Sequence, residues 1–163
     1  MINVVKARWL WLALAVLAAD QLSKRAIAAA IPLERAVAII PGCFSLVHTD
    51  NRGVAFGILA DARSAWVAWV LILFSLAVMG LLVWLLTTSR IPGAPAQVGA
   101  ALILGGAAGN VLDRVLHHSV VDFLDFYVRS YHWPAFNLAD SAIVIGGGMI
   151  VVSLLTDHRD SAP

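Results

Sequence analysis

Charged residues are scarce in this chain: they make up 13% of its 163 residues, whereas apolar residues make up 61%. An average soluble domain has about 25% charged and about 45–50% apolar residues. A soluble fold of this size leaves a large share of its surface in water and could not bury so many apolar side chains. The small net charge of +1 also argues against a disordered chain and against a nucleic-acid-binding protein. The composition therefore indicates an integral membrane protein.

Cysteine is nearly absent as well. Cys43 is the only one, which excludes an intrachain disulfide and a thiolate metal cluster and makes a small apolar filler the simplest role for it. His117 and His118 are adjacent, and the chain has no His-Glu-x-x-His run, so a hydrolytic zinc site is not indicated. Ser23 and Lys24 are neighbours that do not face each other on a helix, which argues against a serine–lysine dyad. We expect no metal site.

Long uncharged stretches locate the membrane spans. No Asp, Glu, Lys or Arg occurs in residues 64–89, 91–112 or 141–156. A bilayer core of about 30 Å needs about 20 helical residues, so each stretch, with short extensions, can supply one crossing. The apolar residues that follow Trp9 supply another if the helix continues past Asp20. We predict a single integral membrane domain over 1–163, with helices near 9–29, 65–87, 96–114 and 138–156.

The first apolar segment has a second interpretation. Lys6 and Arg8 precede it, as in a cleavable secretory signal. The segment continues without a turn through Asp20, however, and a helical membrane anchor accounts better for that continuity.

Two segments between the predicted helices differ from them in composition. Residues 30–63 have balanced charges and contain a β-branched stretch, 36–48, that is broken by Pro41 and Gly42, which predicts two short strands and a turn. Residues 115–137 form a second surface segment, with Tyr131 and Trp133 suited to the membrane interface. The predicted fold is an all-α membrane protein of four transmembrane helices, with a small β cradle on the surface between helices 1 and 2. The segment near 115–135 could serve as a lid.

Polar residues collect on one side of this arrangement. Four spans put both termini on the same side, and 15 of the 21 charged residues then lie on the opposite side. That side has seven Lys and Arg residues against four with the termini, which by the positive-inside rule would place the termini outside. Lys6 and Arg8, with no acidic neighbour, favour a cytoplasmic N-terminus instead. Charge counting leaves the orientation open.

Ionisable residues at membrane depth are candidates for a functional site. Asp20 and Lys24 are four residues apart and share a helix face, either as an ion pair that stabilises the helix end or as part of a site. Asn110 and Arg114 have the same spacing, and a structural network is the alternative to a role in chemistry for them.

Asp122 and Asp140 are the strongest candidates for chemistry. Asp122 lies among large apolar residues, although Asp125 is a comparable candidate, and Asp140 opens the fourth helix, where it could be a plain N-cap. Two carboxylates that approach closely cannot both ionise, so one keeps a proton while the other acts as a base, as in aspartic proteases. Neutral hydrogen bonds to such a pair could come from three asparagines, Asn51, Asn110 and Asn137.

Five short motifs follow one another along the chain: Asp20-Gln-Leu-Ser-Lys24, Asn51-Arg-Gly-Val-Ala-Phe56, Gly105-Gly-Ala-Ala-Gly-Asn-Val-Leu-Asp-Arg114, Val120-Val-Asp-Phe123 and Trp133-Pro-Ala-Phe-Asn-Leu-Ala-Asp140. With these motifs in this order, the chain resembles the bacterial lipoprotein signal peptidases (signal peptidase II) over nearly its whole length.

The resemblance implies a membrane-embedded aspartyl endopeptidase that cleaves prolipoproteins on the N-terminal side of the diacylglyceryl-modified lipobox cysteine. Asp122 and Asp140 match the family's catalytic pair. Residues that match or adjoin positions supporting the site are Asp20, Lys24, Asn51, Gly53, Gly105, Asn110, Arg114 and Asn137.

The resemblance also implies a location and a set of partners. The protein would lie in the bacterial cytoplasmic (inner) membrane, with both termini in the cytoplasm and with the active site and β cradle at the outer face. Its partners would be prolipoprotein substrates, membrane lipid and the inhibitor globomycin, with no cofactor and no nucleic acid, and the enzyme would be a monomer.

The competing hypothesis is a small proton-coupled transporter or channel in which Asp20, Asp122 and Asp140 relay protons. A purely structural membrane subunit would leave the clustering of polar residues unexplained.

Overall fold

The computed structural model describes residues 4–53 and 65–157, so 54–63 of the predicted surface loop 30–63 and both chain ends lie outside the described residues. In chain order the elements are α1 (Val4–Ala30), β1 (Ala36–Ile40), β2 (Phe44–Asn51), α2 (Ala65–Thr87), α3 (Ala94–His117), β3 (Val120–Val128), β4 (Tyr131–His132) and α4 (Leu138–Asp157).

The helices follow the predicted spans closely. The second and fourth agree to within one residue, whereas α1 begins about five residues earlier than predicted and α3 ends three residues later. Within the described part of the chain, three segments are long and apolar enough to cross a membrane, namely Trp66–Thr87, Ala94–His117 and Leu138–Thr156. The mostly helical membrane architecture is thus confirmed. A crossing by α1 stays a prediction, because Asp20, Lys24 and Arg25 interrupt its apolar sequence.

Helix α3 is the centre of the helical part and packs against α1, α2 and α4. Its buried face consists largely of Ala and Gly, which allow the helix backbones to approach closely. At Gly106, for example, an added Cβ would collide with the carbonyl oxygen of Ala139 in α4. By contrast, α2 exposes large apolar side chains such as Trp66, Leu73 and Phe74, as expected for a surface that faces lipid.

The strands form one antiparallel sheet in the order β1-β2-β3-β4. The hairpin of β1 and β2 turns at Pro41 and Gly42, as predicted, and Gly42 has the positive φ of 87° that favours glycine. The prediction was incomplete for residues 115–137, which contribute β3 and β4. The cradle therefore draws strands from the connection between α3 and α4 as well as from that between α1 and α2, and the fold is not purely α-helical.

Strand β3 is held against the end of α1. Phe123 packs with Ile27 and Ile31 in a buried apolar cluster. This packing places the neighbouring residue, Asp122, beside the polar ends of α1 and α3.

Candidate active site

Asp122 lies in β3 and its side chain is buried, with only 3% of the residue exposed. The Nδ2 group of Asn137 donates a hydrogen bond to Asp122 Oδ1 at 2.7 Å, and Nδ2 of Asn51 donates one to Oδ2 at 2.9 Å. Asn51 is the last residue of β2, and it reaches Asp122 because β2 and β3 are paired at this end of the sheet. Both carboxyl oxygens of Asp122 thus have neutral amide donors.

The environment of Asp122 changes its acidity. Burial raises the pKa of the Asp122 carboxyl from 3.8 to about 6, and the nearby Asp140 carboxylate raises it as well. The hydrogen bonds from Asn51 and Asn137 and the charge of Lys24 oppose this shift, because they favour the ionised form. Asp122 can therefore hold or release a proton near neutral pH, as a general acid or base must.

Asp140 lies in the first turn of α4 and does not form the N-cap. The N-cap is Asn137, whose Oδ1 accepts a hydrogen bond from the backbone N–H of Asp140 at 2.9 Å. In return, Asp140 Oδ2 accepts one from the backbone N–H of Asn137 at 3.3 Å, which completes a reciprocal capping arrangement. Asn137 therefore contacts both carboxylates, and Asp122 and Asp140 together are called the carboxylate pair below.

The other oxygen of Asp140 is bound from α3. Asn110 donates from Nδ2 to Asp140 Oδ1 at 2.8 Å, and its own Oδ1 accepts a hydrogen bond from Lys24 Nζ at 3.0 Å. Lys24 also forms ion pairs with Asp20 at 2.8 Å and Asp113 at 2.7 Å. The ion-pair cluster of Asp20, Lys24 and Asp113 is thus connected to the carboxylate pair through one amide side chain.

The ion-pair cluster also joins three helices. Asp20 of α1 accepts a hydrogen bond from the backbone N–H of Ala139 at the start of α4, at 2.9 Å. It lies directly against Gly109 of α3, where an added Cβ would overlap the Asp20 carboxylate. Burial of ionisable residues inside the helix assembly is the usual arrangement in membrane proteins, because lipid cannot solvate them.

Arg114 and Gly53 connect the backbone of Asn110 to the side chain of Asn51. One guanidinium nitrogen of Arg114 donates to the carbonyl of Gly53 at 3.2 Å and another donates to the carbonyl of Asn110 at 3.3 Å. The backbone N–H of Gly53 in turn donates to Asn51 Oδ1 at 2.9 Å, which fixes the orientation of the Asn51 amide toward Asp122.

Asp125, the alternative to Asp122, lies apart from this network. It is three residues further along β3, which in a strand corresponds to the opposite face. There its carboxylate accepts from Nδ1 of His132, at 2.9 Å and 3.0 Å from its two oxygens.

An apolar groove of about 430 Å³ begins beside Asp140. It is lined by residues 133–136 and, on α4, by Asp140, Ser141, Val144 and Ile145. Val144 and Ile145 are exposed on the outer surface of α4, so the groove opens toward the lipid-facing side of the helices. No group of three or more His, Cys, Asp or Glu residues that could hold a metal ion occurs in 4–53 or 65–157.

Comparison with known proteins identifies the family. The family model described as "Signal peptidase (SPase) II" matches residues 12–156, which is most of the chain. The chain belongs to the signal peptidase II family. The predicted resemblance is thereby confirmed.

Named relatives of this signal peptidase II family member agree. It is 46% identical to the lipoprotein signal peptidase of Solibacter usitatus over 76% of each chain. It is 45% identical to that of Aeromonas hydrophila over 89% of this chain and 86% of the relative, and 44% identical to that of Xylella fastidiosa strain M12 over 94% and 91%. A solved structure of a bacterial membrane enzyme matches with a TM-score of 0.84 and 29% identity, covering 96% of this chain and 92% of the other.

In this signal peptidase II family member, most predicted site residues lie in one connected network. They are Asp20, Lys24, Asn51, Gly53, Asn110, Arg114, Asp122, Asn137 and Asp140. Gly105 lies elsewhere, against the backbone of Ala13 in α1, where an added Cβ would collide with a carbonyl oxygen. Sequence reasoning missed Gln21, which donates to Asp113 at 2.8 Å, and Gly109; both stand within the quoted motifs, which was the available signal.

Proposed function

We propose that this protein removes signal peptides from prolipoproteins as an aspartyl endopeptidase that cleaves on the N-terminal side of the diacylglyceryl-modified cysteine. The observation that carries the proposal is the connection of Asp122 and Asp140 through Asn137, which donates a hydrogen bond to each carboxylate. Membership of the signal peptidase II family supports a peptide bond as the target.

In the proposed mechanism the carboxylate pair carries one proton. The ionised member takes a proton from a water molecule, whose oxygen attacks the scissile carbonyl carbon. The protonated member then gives its proton to the nitrogen of the departing cysteine as the peptide bond breaks. The pair again carries one proton, now on the other carboxyl, and a proton exchange resets it.

The apolar groove beside Asp140 supports a substrate that enters from lipid. A prolipoprotein bearing a diacylglyceryl group is confined to the bilayer, whereas hydrolysis requires water at the scissile bond. The α4 groove, with Val144 and Ile145 on its wall, leads from the lipid-facing surface to the polar network. Both requirements are met where the apolar helices end and the sheet begins.

We further propose the bacterial cytoplasmic membrane as the location, with four crossings that include α1, both termini in the cytoplasm and the sheet at the outer face. In this topology Asp20 and Lys24 lie within the first crossing but face α3 and α4, with 0% and 3% exposure respectively. We expect globomycin to inhibit the enzyme, and we expect it to function as a monomer without a cofactor.

The test uses purified protein and a synthetic precursor peptide carrying a diacylglyceryl cysteine, with products identified by mass spectrometry. We expect a single cut before the modified cysteine and no cut in the unmodified peptide. Asp122→Asn and Asp140→Asn should each lower kcat/KM by about 100-fold or more, because general acid–base groups typically contribute 10²–10⁴-fold. Asp125→Asn is the matched control: it removes a buried carboxylate from the same strand and should leave cleavage intact.

Cleavage that survives both Asp122→Asn and Asp140→Asn would rule out the aspartyl mechanism. Proton flux in reconstituted vesicles, lost in the same two variants without any peptide cleavage by the wild type, would favour the transporter hypothesis instead.

A further inference from the structure

The side chain of Lys24 is buried beside the carboxylate pair but donates to neither member. Its ammonium group forms ion pairs with Asp20 Oδ2 at 2.8 Å and Asp113 Oδ2 at 2.7 Å, and it donates a hydrogen bond to Asn110 Oδ1 at 3.0 Å. Neutralising the two carboxylates would require only the first two of these contacts. The third contact, to a neutral amide, calls for a separate explanation.

An ammonium group can only donate hydrogen bonds, whereas an amide side chain can donate from one end and accept at the other. Lys24 therefore fixes which end of Asn110 faces it: the oxygen. The NH2 end of Asn110 must then face Asp140, and it donates to Oδ1 at 2.8 Å. If the amide were rotated by 180°, its oxygen would face the Asp140 carboxylate and repel it.

The remaining neighbours of Asn110 define this orientation less firmly. Asn137 Nδ2 also approaches Asn110 Oδ1, but at 3.4 Å, while the same group donates to Asp122 at 2.7 Å. The contact from Asn137 is thus long and shared. Lys24 is the nearer donor and the only one of the two that carries a charge.

We propose that Lys24 is a positioning residue for the hydrolytic reaction: through Asn110 it holds the Asp140 carboxylate in the geometry needed to act with Asp122. This inference rests on the proposed aspartyl mechanism and adds to it a residue on α1 whose contacts are with Asn110, Asp20 and Asp113, not with the reacting carboxylates. It predicts that loss of the ammonium group lowers kcat through Asn110 and leaves substrate binding unchanged.

The test must remove the ammonium group without changing the charge of the ion-pair cluster. Asp20, Lys24 and Asp113 together carry a net charge of −1, and the double variant Lys24→Met/Asp113→Asn keeps that value because Asp20 remains. The double variant is therefore compared with the wild type, which has the same cluster charge. The single variant Asp113→Asn retains Lys24 and its contact to Asn110, and it shows how much of any effect comes from Asp113. Cleavage of the diacylglyceryl peptide gives kcat and KM for each variant, and size-exclusion chromatography and thermal unfolding give the folded fraction.

We expect the double variant to lower kcat per folded molecule by about 10- to 100-fold relative to the wild type, in line with the loss of a hydrogen bond to a charged group, with KM changed less than twofold. Asp113→Asn alone should lower kcat much less. An equal kcat in the two variants would overturn the inference, as would a fall in folded fraction with an unchanged kcat per folded molecule.

A second variant covers the case in which the double variant does not fold. Lys24→Gln keeps a polar side chain between the two carboxylates but can also accept, so it does not dictate the orientation of Asn110. It should lower kcat with KM unchanged, and wild-type kcat would overturn the inference. Failure of the proposed function is distinguishable: Asp122→Asn or Asp140→Asn would then cleave normally, whatever the Lys24 variants did.

Discussion

Three asparagines hold the carboxylate pair, and none of them adds charge. Asn51 contacts Asp122, Asn110 contacts Asp140, and Asn137 contacts both. Neutral donors can hold two carboxyl groups in place without favouring the ionised form of both, whereas a cation in the same place would stabilise both as carboxylates. Under the proposed mechanism, we therefore expect individual asparagines to tune the pH at which the pair functions.

Asn51→Ala should shift the pH dependence of cleavage upward. In the proposed mechanism the pair loses its one proton above the pKa of Asp122, about 6, so kcat/KM should fall about tenfold per pH unit above that value. Asn51 favours the ionised form of Asp122, so its removal should raise the pKa of Asp122 further. The alkaline limb of the pH profile, where kcat/KM falls with rising pH, should then move to higher pH. The measurement is kcat/KM for the diacylglyceryl peptide from pH 4 to about 9, a range that extends from the ordinary pKa of a carboxyl group to well above the pKa of Asp122.

Thr49→Val is the control for this shift. Thr49 lies on the same strand and donates only to the backbone carbonyl of Asp122, at 3.3 Å, so its loss should leave the alkaline limb in place. An alkaline limb that stays fixed or moves to lower pH in Asn51→Ala would contradict the assignment of this limb to Asp122.

At the scale of elements, α3 and α4 pack so closely that an added Cβ would collide with backbone atoms of the facing helix. Gly146 of α4 lies against Gly99 and Ile103 of α3, where an added Cβ would collide with the Gly99 carbonyl, while the adjacent Gly147 has open space around its Cα. Two neighbouring glycines of one helix thus differ completely in their surroundings.

Gly146→Ala should destabilise the protein, and Gly147→Ala should not. Overpacking at a closely packed site typically costs about 1–3 kcal/mol, because backbone or side chains must shift. Gly147→Ala, by contrast, increases helix propensity and causes no clash. Thermal unfolding in one detergent, read from the loss of helical circular dichroism, compares the two directly; equal unfolding temperatures would mean that α3 and α4 pack less closely than described.

Sequence reasoning located well the elements that depend on one local property of the sequence. Uncharged length defined α2, α3 and α4 to within a few residues, and the turn residues Pro41 and Gly42 defined the first hairpin. Strand β3 was missed because Asp122 and Asp125 are three residues apart, which breaks the two-residue alternation that marks a half-buried strand. Its partner across the sheet is β2, and the paired residues Asn51 and Val120 show that the two strands are about 70 residues apart in sequence. A local sequence pattern does not predict a pairing over that distance.

The candidate site was predictable as a set of residues but not as a network. Motif positions identified Asn110 and Asn137, whereas only the structure shows which groups their side chains bind. Asn137, for example, is the N-cap of α4, which places Asp140 inside the first helical turn. The link from Lys24 to Asn110 joins residues 86 positions apart. Contacts of that range depend on how helices pack, which spacing along one helix does not reveal.

On the scale of the whole molecule, the single cysteine offers a test of topology. Cys43 is exposed in the turn between β1 and β2, on the sheet side of the protein. In the proposed orientation this turn lies outside the cytoplasmic membrane, so a membrane-impermeant maleimide added to intact spheroplasts should label the protein. Cys43→Ser should abolish labelling. Labelling seen only after the membrane is permeabilised would place the sheet on the cytoplasmic side and reverse the proposed topology.

The ion-pair cluster also bears on how the chain assembles during synthesis. Asp20 and Lys24 belong to α1, which is translated before α3, and they pair with each other on one face of α1. Asp113 arrives later, on α3, and its nearest cation in the folded protein is Lys24, at 2.7 Å. The earlier helix thus supplies the one cation that the two carboxylates share, so Asp113 gains an ion-pair partner as soon as α3 packs against α1.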